Sequence, residues 1–361
     1  MQRIRRPLNL LRTDRRRFVQ AGLAVGFSLK IPASAFAQDG KVNFYNWDTY
    51  IGEDTLENFT GETGIQVQYD LFADNNELFA KLRNGNPGYD VIVPSNDYVE
   101  RMILAEMLME IDHDKIPNIA NIDPMFTDPA FDPGRRYSLP YMWGTIGIGY
   151  RKSAVDAPPT SWSDLFVSDK HAGRIALLSE PTNVLQLAMK AAGHSLNDWT
   201  DENLAAAEAM LLAQKKNITA FAPDNGQDLL LAGEVDLAME WNGDILQVME
   251  EDDDIGYVLP KEGSIVWEDT LAIPVGAKNV ENAHALIDFL LGAEVGAGIA
   301  DYVQYATPNA AAKALMSEEY RTNPAIYPSE AAMEASETSV FPGQERMRAI
   351  DEAWTRVKAA G

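Results

Sequence analysis

Between residues 41 and 111 the chain alternates strand-like and helix-like runs. "KVNFYNW" (41–47) and "IQVQYDLF" (65–72) space apolar residues as strands do, and "YDVIVPS" (89–95) is a continuous β-branched run, typical of a buried parallel strand. Each of the first two is followed by a helical pattern that ends in glycine, and "DYVERMILAEMLMEI" (97–111) has helical spacing again. This order predicts a doubly wound α/β region.

A second series of the same kind occupies the rest of the chain. "GRIALLSE" (173–180), "VDLAMEW" (235–241) and "DIGYVLP" (254–260) predict strands with helical patterns between them, and no fixed-period repeat is present. The apolar stretches near residues 144–151 and 269–274 are placed to cross from one series to the other. We therefore expect two α/β lobes joined by two crossover strands, with a ligand cleft between them.

Aromatic and acidic residues recur where these strands end. Because ligands of open α/β sheets bind beyond the carboxyl ends of strands, we expect the side chains at these ends and at the second crossover to share one cleft. They are Trp47, Asp48, Ser95, Asp97, Glu180, Trp241, Asp244, Trp267 and Asp269.

Tryptophan beside carboxylates is the chemistry that an organic amine requires. A π face attracts a cation, and a carboxylate replaces the hydrogen bonds that an ammonium loses when it leaves water. In an extended "VWED" (266–269), Glu268 would point away from Trp267 and Asp269. Two alternatives stay open: each tryptophan could pack in a core, and Asp48 and Asp244 could cap helices.

Motifs of enzymes and metal sites are absent from the sequence. It contains no G-x-S-x-G, H-E-x-x-H or P-loop, and its four histidines are scattered. "EEDDDIG" (250–256) lacks the spacing of a calcium loop, and Tyr302 and Tyr305 lack a clear partner set for ferric iron. We expect no enzyme activity, no cofactor and no metal, although paired carboxylates keep a glycosidase possible in principle.

The first 37 residues have the features of an export signal. A basic segment precedes the apolar run 21–31, which is too short to span a bilayer, and Ala35 and Ala37 form an A-x-A cleavage signal. Arg15 and Arg16 with Phe18 fit the twin-arginine pattern, so we expect the Tat route. The chain has no cysteine, so core burial alone must hold an exported fold.

The net charge of the chain limits the classes of molecule that it is expected to bind. The net charge is -24, and the leader holds eight Lys or Arg and one Asp, so its removal (+7) leaves about -31. Such acidity argues against binding nucleic acid or anionic membrane surfaces. It would attract cations, and it fits the solubility of an exported protein equally well.

Six motifs together resemble the spermidine/putrescine-binding proteins of bacterial ABC importers. They are "FYNWDTYI" (44–51), "YDVIVPSNDYVERM" (89–102), "YSLPYMWGTIGIGY" (137–150), "WNGD" (241–244), "LPKEGSIVWEDTLAIPVGAKN" (259–279) and "YATPNAAAKAL" (305–315). The resemblance implies a two-lobed periplasmic-binding-protein fold of type II that closes over a polyamine and delivers it to a membrane permease. We expect a periplasmic monomer without stable membrane insertion. Lobe one would hold residues 38–147 and 271–305, and lobe two 148–270 and 306–361, with the C-terminal segment able to contact both.

The resemblance also assigns roles to residues. Trp47 and Trp267 would be aromatic walls joined by Trp241, Asp269 would be the central acid, and Ser95 and Tyr305 would line the cleft. Asp244 matches an acid that only some members carry, and Asp48 stands where Ser or Thr is usual.

Two positions depart from the family pattern. Asp97 places an acid at a variable lining position. Glu180 matches one acid of a terminal-amine pair, whereas Thr182 and Asn183 stand where members place the other. The acids are thus redistributed, which leaves open which amine is bound. Alternatives are the same fold with another amine-bearing solute, such as an opine or a quaternary amine, and an exported hydrolase.

The export signal gives a first prediction. Changing Arg15 and Arg16 to Lys removes the pair that the Tat pathway reads, so unprocessed precursor should accumulate in the cytoplasm. Fractionation and immunoblotting measure this. Normal processing and export of the double variant would contradict the Tat assignment.

Overall fold

A computed structural model describes residues 40–223 and 225–360 of the chain. The predicted leader, residues 1–37, lies outside the described residues together with its arginine pair. Within the described ranges, no single helix is long and apolar enough to cross a membrane. One neighbouring pair, bent by 72°, would pass that test on length and composition alone.

Strands and helices alternate through the described residues, as predicted. The strands are β1 (Lys41–Trp47), β2 (Gln66–Phe72), β3 (Val91–Ile92), β4 (Ser138–Arg151), β5 (Ile175–Leu178), β6 (Ile218–Ala222), β7 (Leu237–Trp241), β8 (Ile255–Val258), β9 (Ile265–Ala272) and β10 (Glu337–Thr338). The α-helices are α1 (Thr55–Thr63), α2 (Asn75–Arg83), α3 (Asn96–Leu104), α4 (Ser163–Phe166), α5 (Pro181–Ala191), α6 (Asp201–Gln214), α7 (Gly226–Leu231), α8 (Asn242–Glu251), α9 (Val280–Leu290), α10 (Ala293–Val303), α11 (Ala310–Leu315), α12 (Glu318–Thr322), α13 (Glu330–Ala335) and α14 (Gln344–Ala359).

One strand order connects two groups of parallel strands. It reads β2-β1-β3-β9-β4-β7-β5-β6, with β8 beside β4 and β10 beside β9. β1 is parallel to β2 and β3, and β5 is parallel to β6 and β7. β4 and β9 are antiparallel to each other. β4 is also antiparallel to β7, and β9 is antiparallel to β3. The predicted α/β class with two crossover strands is confirmed.

β4 is the strand that passes from one group to the other. Its first half pairs with β9 over Ser138–Thr145, and its second half pairs with β7 from Ile146 to Tyr150. All but its last residue are buried. The second crossover differs from expectation: β9 begins at Ile265, before the predicted 269–274, because Val266 already pairs with Thr145. Trp267 and Asp269 therefore lie inside a strand.

The predicted helix over 97–111 is wrong for its last seven residues, 105–111. α3 ends at Leu104, and Glu106 has a left-handed backbone (φ 54°), which stops a helix of L-residues. The chain then turns back, and Leu108 forms a β-bridge with Pro274. Packing beside β9 thus overrides the helical spacing of the apolar residues.

The C-terminal segment contacts both strand groups. Arg356 of α14 donates two hydrogen bonds to Glu208 of α6, at 2.5 and 2.8 Å. Ahead of that helix, the Ser339 carbonyl accepts from Asn96 Nδ2 of α3 (2.7 Å), and Gln186 Nε2 of α5 donates to the Ser339 hydroxyl (2.9 Å). These contacts support a segment that straddles two lobes, while the predicted lobe boundaries stay a prediction.

Candidate functional site

A cavity of about 370 Å³ opens where the parallel strands end, beside the crossing strands. The structure places all ten sequence-predicted site residues on its wall. They are Trp47, Asp48, Ser95, Asp97, Glu180, Trp241, Asp244, Trp267, Asp269 and Tyr305. The grouping expected from the strand ends is therefore observed, whereas the ligand-binding role of each residue stays a prediction.

Strand-to-helix connections supply most of this wall. Trp47 is the last residue of β1, and Trp241 ends β7 and begins α8. Asp97 and Asp244 lie in the first turns of α3 and α8, where helix dipoles favour negative charge. Glu180 precedes α5 and accepts a hydrogen bond from Asn183 Nδ2 at 2.8 Å. The topology thus gathers acids from both strand groups.

Asp269 is the most deeply placed acid of the cavity, with 6% of its surface exposed. Its Oδ2 accepts from the Tyr50 hydroxyl at 2.9 Å, and its Oδ1 accepts from the Ser95 hydroxyl at 2.5 Å. Burial raises the pKa of Asp269 to about 7, the two hydroxyl donors oppose that rise, and the charge of Asp97 adds to it. Both of its oxygens therefore have neutral donors, and no cation of the described residues lowers its pKa.

Asp97 is a second carboxylate with a perturbed pKa. Burial raises that pKa to about 6, although backbone N–H groups at the start of α3 and the Arg101 guanidinium lower it. The Asp97 side chain is half-buried, and it forms part of the cavity wall. Asp97 and Asp269 raise the cost of each other's negative charge, which a bound cation would relieve.

A row of aromatic rings crosses the cavity floor. Tyr50 meets Tyr305 at 5.5 Å and 81°, Tyr305 meets Trp267 at 5.1 Å and 78°, and Trp267 meets Trp241 at 5.7 Å and 89°. These edge-to-face contacts each contribute about 0.5–1.5 kcal/mol. We call Tyr50, Tyr305, Trp267 and Trp241 the aromatic row. Trp47 stands apart from it, held by a hydrogen bond from its Nε1 to the Val93 carbonyl at 2.9 Å.

Glu268 points away from the cavity, as strand alternation predicts. It lies on the other face of β9 and forms a salt bridge with Arg135 Nη2 at 2.6 Å. Both partners are buried, and burial raises the pKa of Glu268 to about 7 while Arg135 opposes the rise. The two adjacent carboxylates of β9 therefore differ in their partners. Glu268 is paired with the Arg135 guanidinium, whereas Asp269 accepts hydrogen bonds from two neutral hydroxyls.

The helix-capping alternatives do not hold for either acid. The residue before α1 is Asp54, and α8 is preceded by Trp241. Asp48 is exposed and accepts a hydrogen bond from the Thr49 amide, while Asp244 lies inside the first turn of α8. Both carboxylates also line the cavity.

Sequence reasoning missed several wall residues. Gln247, Val248 and Glu251 follow Asp244 at helical spacing on α8, so the 3.6-residue period would have found them. Tyr50 could also have been predicted, because it lies in the motif FYNWDTYI (44–51) that resembles the family. Ser339 gave no local signal, since it enters the wall from a distant part of the chain.

The chain is similar to known proteins over most of its length. Residues 54–328 match the model of the bacterial extracellular solute-binding proteins. A putrescine-binding periplasmic protein of Pseudomonas aeruginosa (strain UCBPP-PA14) is 37% identical over 364 residues, with 95% of this chain and 99% of that protein covered. A spermidine/putrescine-binding periplasmic protein of Escherichia coli (strain K12) is 39% identical over 317 residues, with 87% and 89% covered. The solved structure of a putative spermidine/putrescine ABC transporter from Listeria monocytogenes matches with a TM-score of 0.85 at 33% identity, covering 89% of this chain and 100% of that one.

The raised pKa of Asp269 predicts how stability depends on pH. The folded, ligand-free protein holds a proton on Asp269 that the unfolded chain releases at its ordinary pKa, so this stabilising contribution is lost as pH rises from about 4 through 7. Asp269→Asn should flatten that loss and be more stable than the wild type by on the order of 2 kcal/mol at about pH 8. Urea unfolding across pH measures this. Asp48→Asn, at an exposed position, is the control, and an unchanged pH profile in Asp269→Asn would contradict the assignment.

Proposed function

This chain belongs to the bacterial extracellular solute-binding protein family, and from that premise we propose that its cavity captures a polyamine of the putrescine or spermidine class. The proposal includes a periplasmic location, action as a monomer and delivery of the amine to the permease of an ABC importer. Its similarity to two named periplasmic polyamine-binding proteins supports this. The solute would be bound and released unchanged.

The charge of the cavity wall is the observation that carries the proposal. Among the described residues, the wall holds seven carboxylates and no Lys, Arg or His. The carboxylates are Asp48, Asp97, Glu180, Asp228, Asp244, Glu251 and Asp269. Such a wall attracts cations and repels a solute that carries carboxylates of its own, which disfavours an opine.

The seven acids of the cavity wall differ in how much of their surface is exposed. Asp269 is buried. The half-buried acids are Asp97, Glu180 and Asp244, and the exposed acids are Asp48, Asp228 and Glu251. A cation entering the cavity therefore loses water stepwise while the carboxylates replace it. At the inner end, an ammonium beside Asp269 stabilises the ionised carboxylate and displaces its proton, because opposite charge lowers a carboxyl pKa.

The aromatic row suits the remaining part of such a solute. Methylene groups between two ammonium groups are apolar, and they can lie along the faces of Trp267 and Trp241. A quaternary amine has no N–H to donate to Asp269, so it would forgo the charge-assisted hydrogen bond. Calorimetry of the wild type with putrescine, spermidine and choline tests the proposal. Failure of both polyamines to bind would overturn it.

The adjacent residues of β9 give a sharp mutational prediction. Asp269→Asn keeps the shape but removes the charge that meets an ammonium, so binding of putrescine and spermidine should weaken by roughly 2–5 kcal/mol. Trp267→Leu retains an apolar wall without a π face and should cost about 1–2 kcal/mol. Calorimetry measures both, with melting curves to confirm folding.

Glu268→Gln is the control on the same strand. It should leave amine affinity unchanged, because Glu268 faces Arg135 rather than the cavity. It should nevertheless lower stability, since a buried guanidinium loses its partner. A folded Asp269→Asn protein with wild-type affinity would overturn the role given to this acid.

Asp97 predicts selectivity between amines. If Asp97 compensates for the acid missing at Asn183, Asp97→Asn should weaken putrescine and spermidine unequally, by a difference of at least about five-fold. Glu100→Gln is the matched control, because Glu100 lies on the same helix but outside the cavity wall. Equal and negligible losses for every amine would leave Asp97 with a local role at the start of α3.

A further inference from the structure

Two glycines lie directly under the aromatic row. A methyl carbon on Gly144 of β4 would stand 2.6 Å from Trp267 Cζ2 and 2.3 Å from Asn242 Oδ1. A methyl carbon on Gly243 of α8 would stand 2.6 Å from both Cε1 and Cζ of Tyr305. Real carbon atoms do not approach so closely. The space that a side chain would need is filled by the Tyr305 ring at Gly243, and by the Trp267 ring together with Asn242 Oδ1 at Gly144.

Backbone conformation does not account for these glycines. Neither has a positive φ, so an L-residue could adopt either backbone. Gly243 even lies in the first turn of α8, where alanine is the better helix former. The requirement is therefore for space beneath a ring.

The space above the two glycines decides the positions of Trp267 and Tyr305, the two middle rings of the aromatic row. Trp267 lies against Gly144 of β4 and makes edge-to-face contacts with both Trp241 and Tyr305. Tyr305 in turn meets Tyr50, whose hydroxyl binds Asp269. A ring lifted by one methyl group would enter the cavity and break this series of contacts.

We propose that Gly144 and Gly243 are positioning residues of the amine site, which set the positions of Trp267 and Tyr305 and hence the shape of the cavity beside Asp269. This inference rests on the proposed function. Neither glycine touches the solute; both act through the rings above them.

The test compares three glycine-to-alanine variants. Gly243→Ala and Gly144→Ala should bind putrescine and spermidine at least about five-fold more weakly, as the displacement of one aromatic contact implies. Gly147→Ala is the matched control: it lies on β4 as well, and its methyl would stand 2.3 Å from the Tyr257 ring, which is not part of the cavity wall. It should keep wild-type affinity within about two-fold, whatever its melting temperature.

A double-variant cycle separates positioning from a general loss of stability. If Gly243 acts through Tyr305, adding Gly243→Ala to Tyr305→Leu should change affinity by less than about two-fold, because the ring that it displaces is already gone. The same double variant should regain melting temperature relative to Gly243→Ala alone. Wild-type affinity in both cavity variants, an equal loss in Gly147→Ala, or additive losses in the cycle would overturn the proposal.

Near-ultraviolet circular dichroism of the ligand-free variants needs no solute. Gly144→Ala should alter the tryptophan bands, because Trp267 and Trp241 are in edge-to-face contact. If the wild type bound no amine while these bands still changed, the proposed function would fail and the seating of the rings would stand. Unchanged bands in Gly144→Ala would overturn the seating itself.

Discussion

The Asp269 carboxylate, held between the Tyr50 and Ser95 hydroxyls, is the contact on which the arrangement of the cavity depends. It joins three segments that are far apart in the chain: the loop after β1, the start of α3 and the middle of β9. Ser95 also forms a backbone bridge with Asp269. Both oxygens are therefore oriented by contacts within the protein, so the ammonium of the proposed function would meet a carboxylate that need not be rearranged.

Asp269 and Glu268 are neighbours on β9 with different surroundings. The strand turns alternate side chains to opposite faces, so two neighbouring acids enter different environments. On one face, Arg135 neutralises Glu268 within the fold. On the other face, hydroxyls hold Asp269 without neutralising it. Only Asp269 lacks a cationic partner among the groups that shift its pKa, and under the proposed function an ammonium of the solute would supply that partner.

Much of the fold could be predicted from the sequence because its signals are local. Trp47 and Trp241 end strands whose patterns are visible in isolation, and the acids after them inherit their place at the sheet edge. Position in the tertiary structure decides the rest. The true start of β9 follows from pairing with β4, and the early end of α3 follows from the return of the chain beside β9. Ser339 reaches the cavity through contacts with Asn96 and Gln186 that no local pattern encodes.

The segment that contains Ser339 makes a third passage between the two strand groups, in addition to β4 and β9. Three separate connections between the two groups restrict their relative movement more than a single connection does. Asp97, beside Asn96 on α3, and Glu180, just before α5, are therefore linked through the Ser339 segment as well as through the sheet.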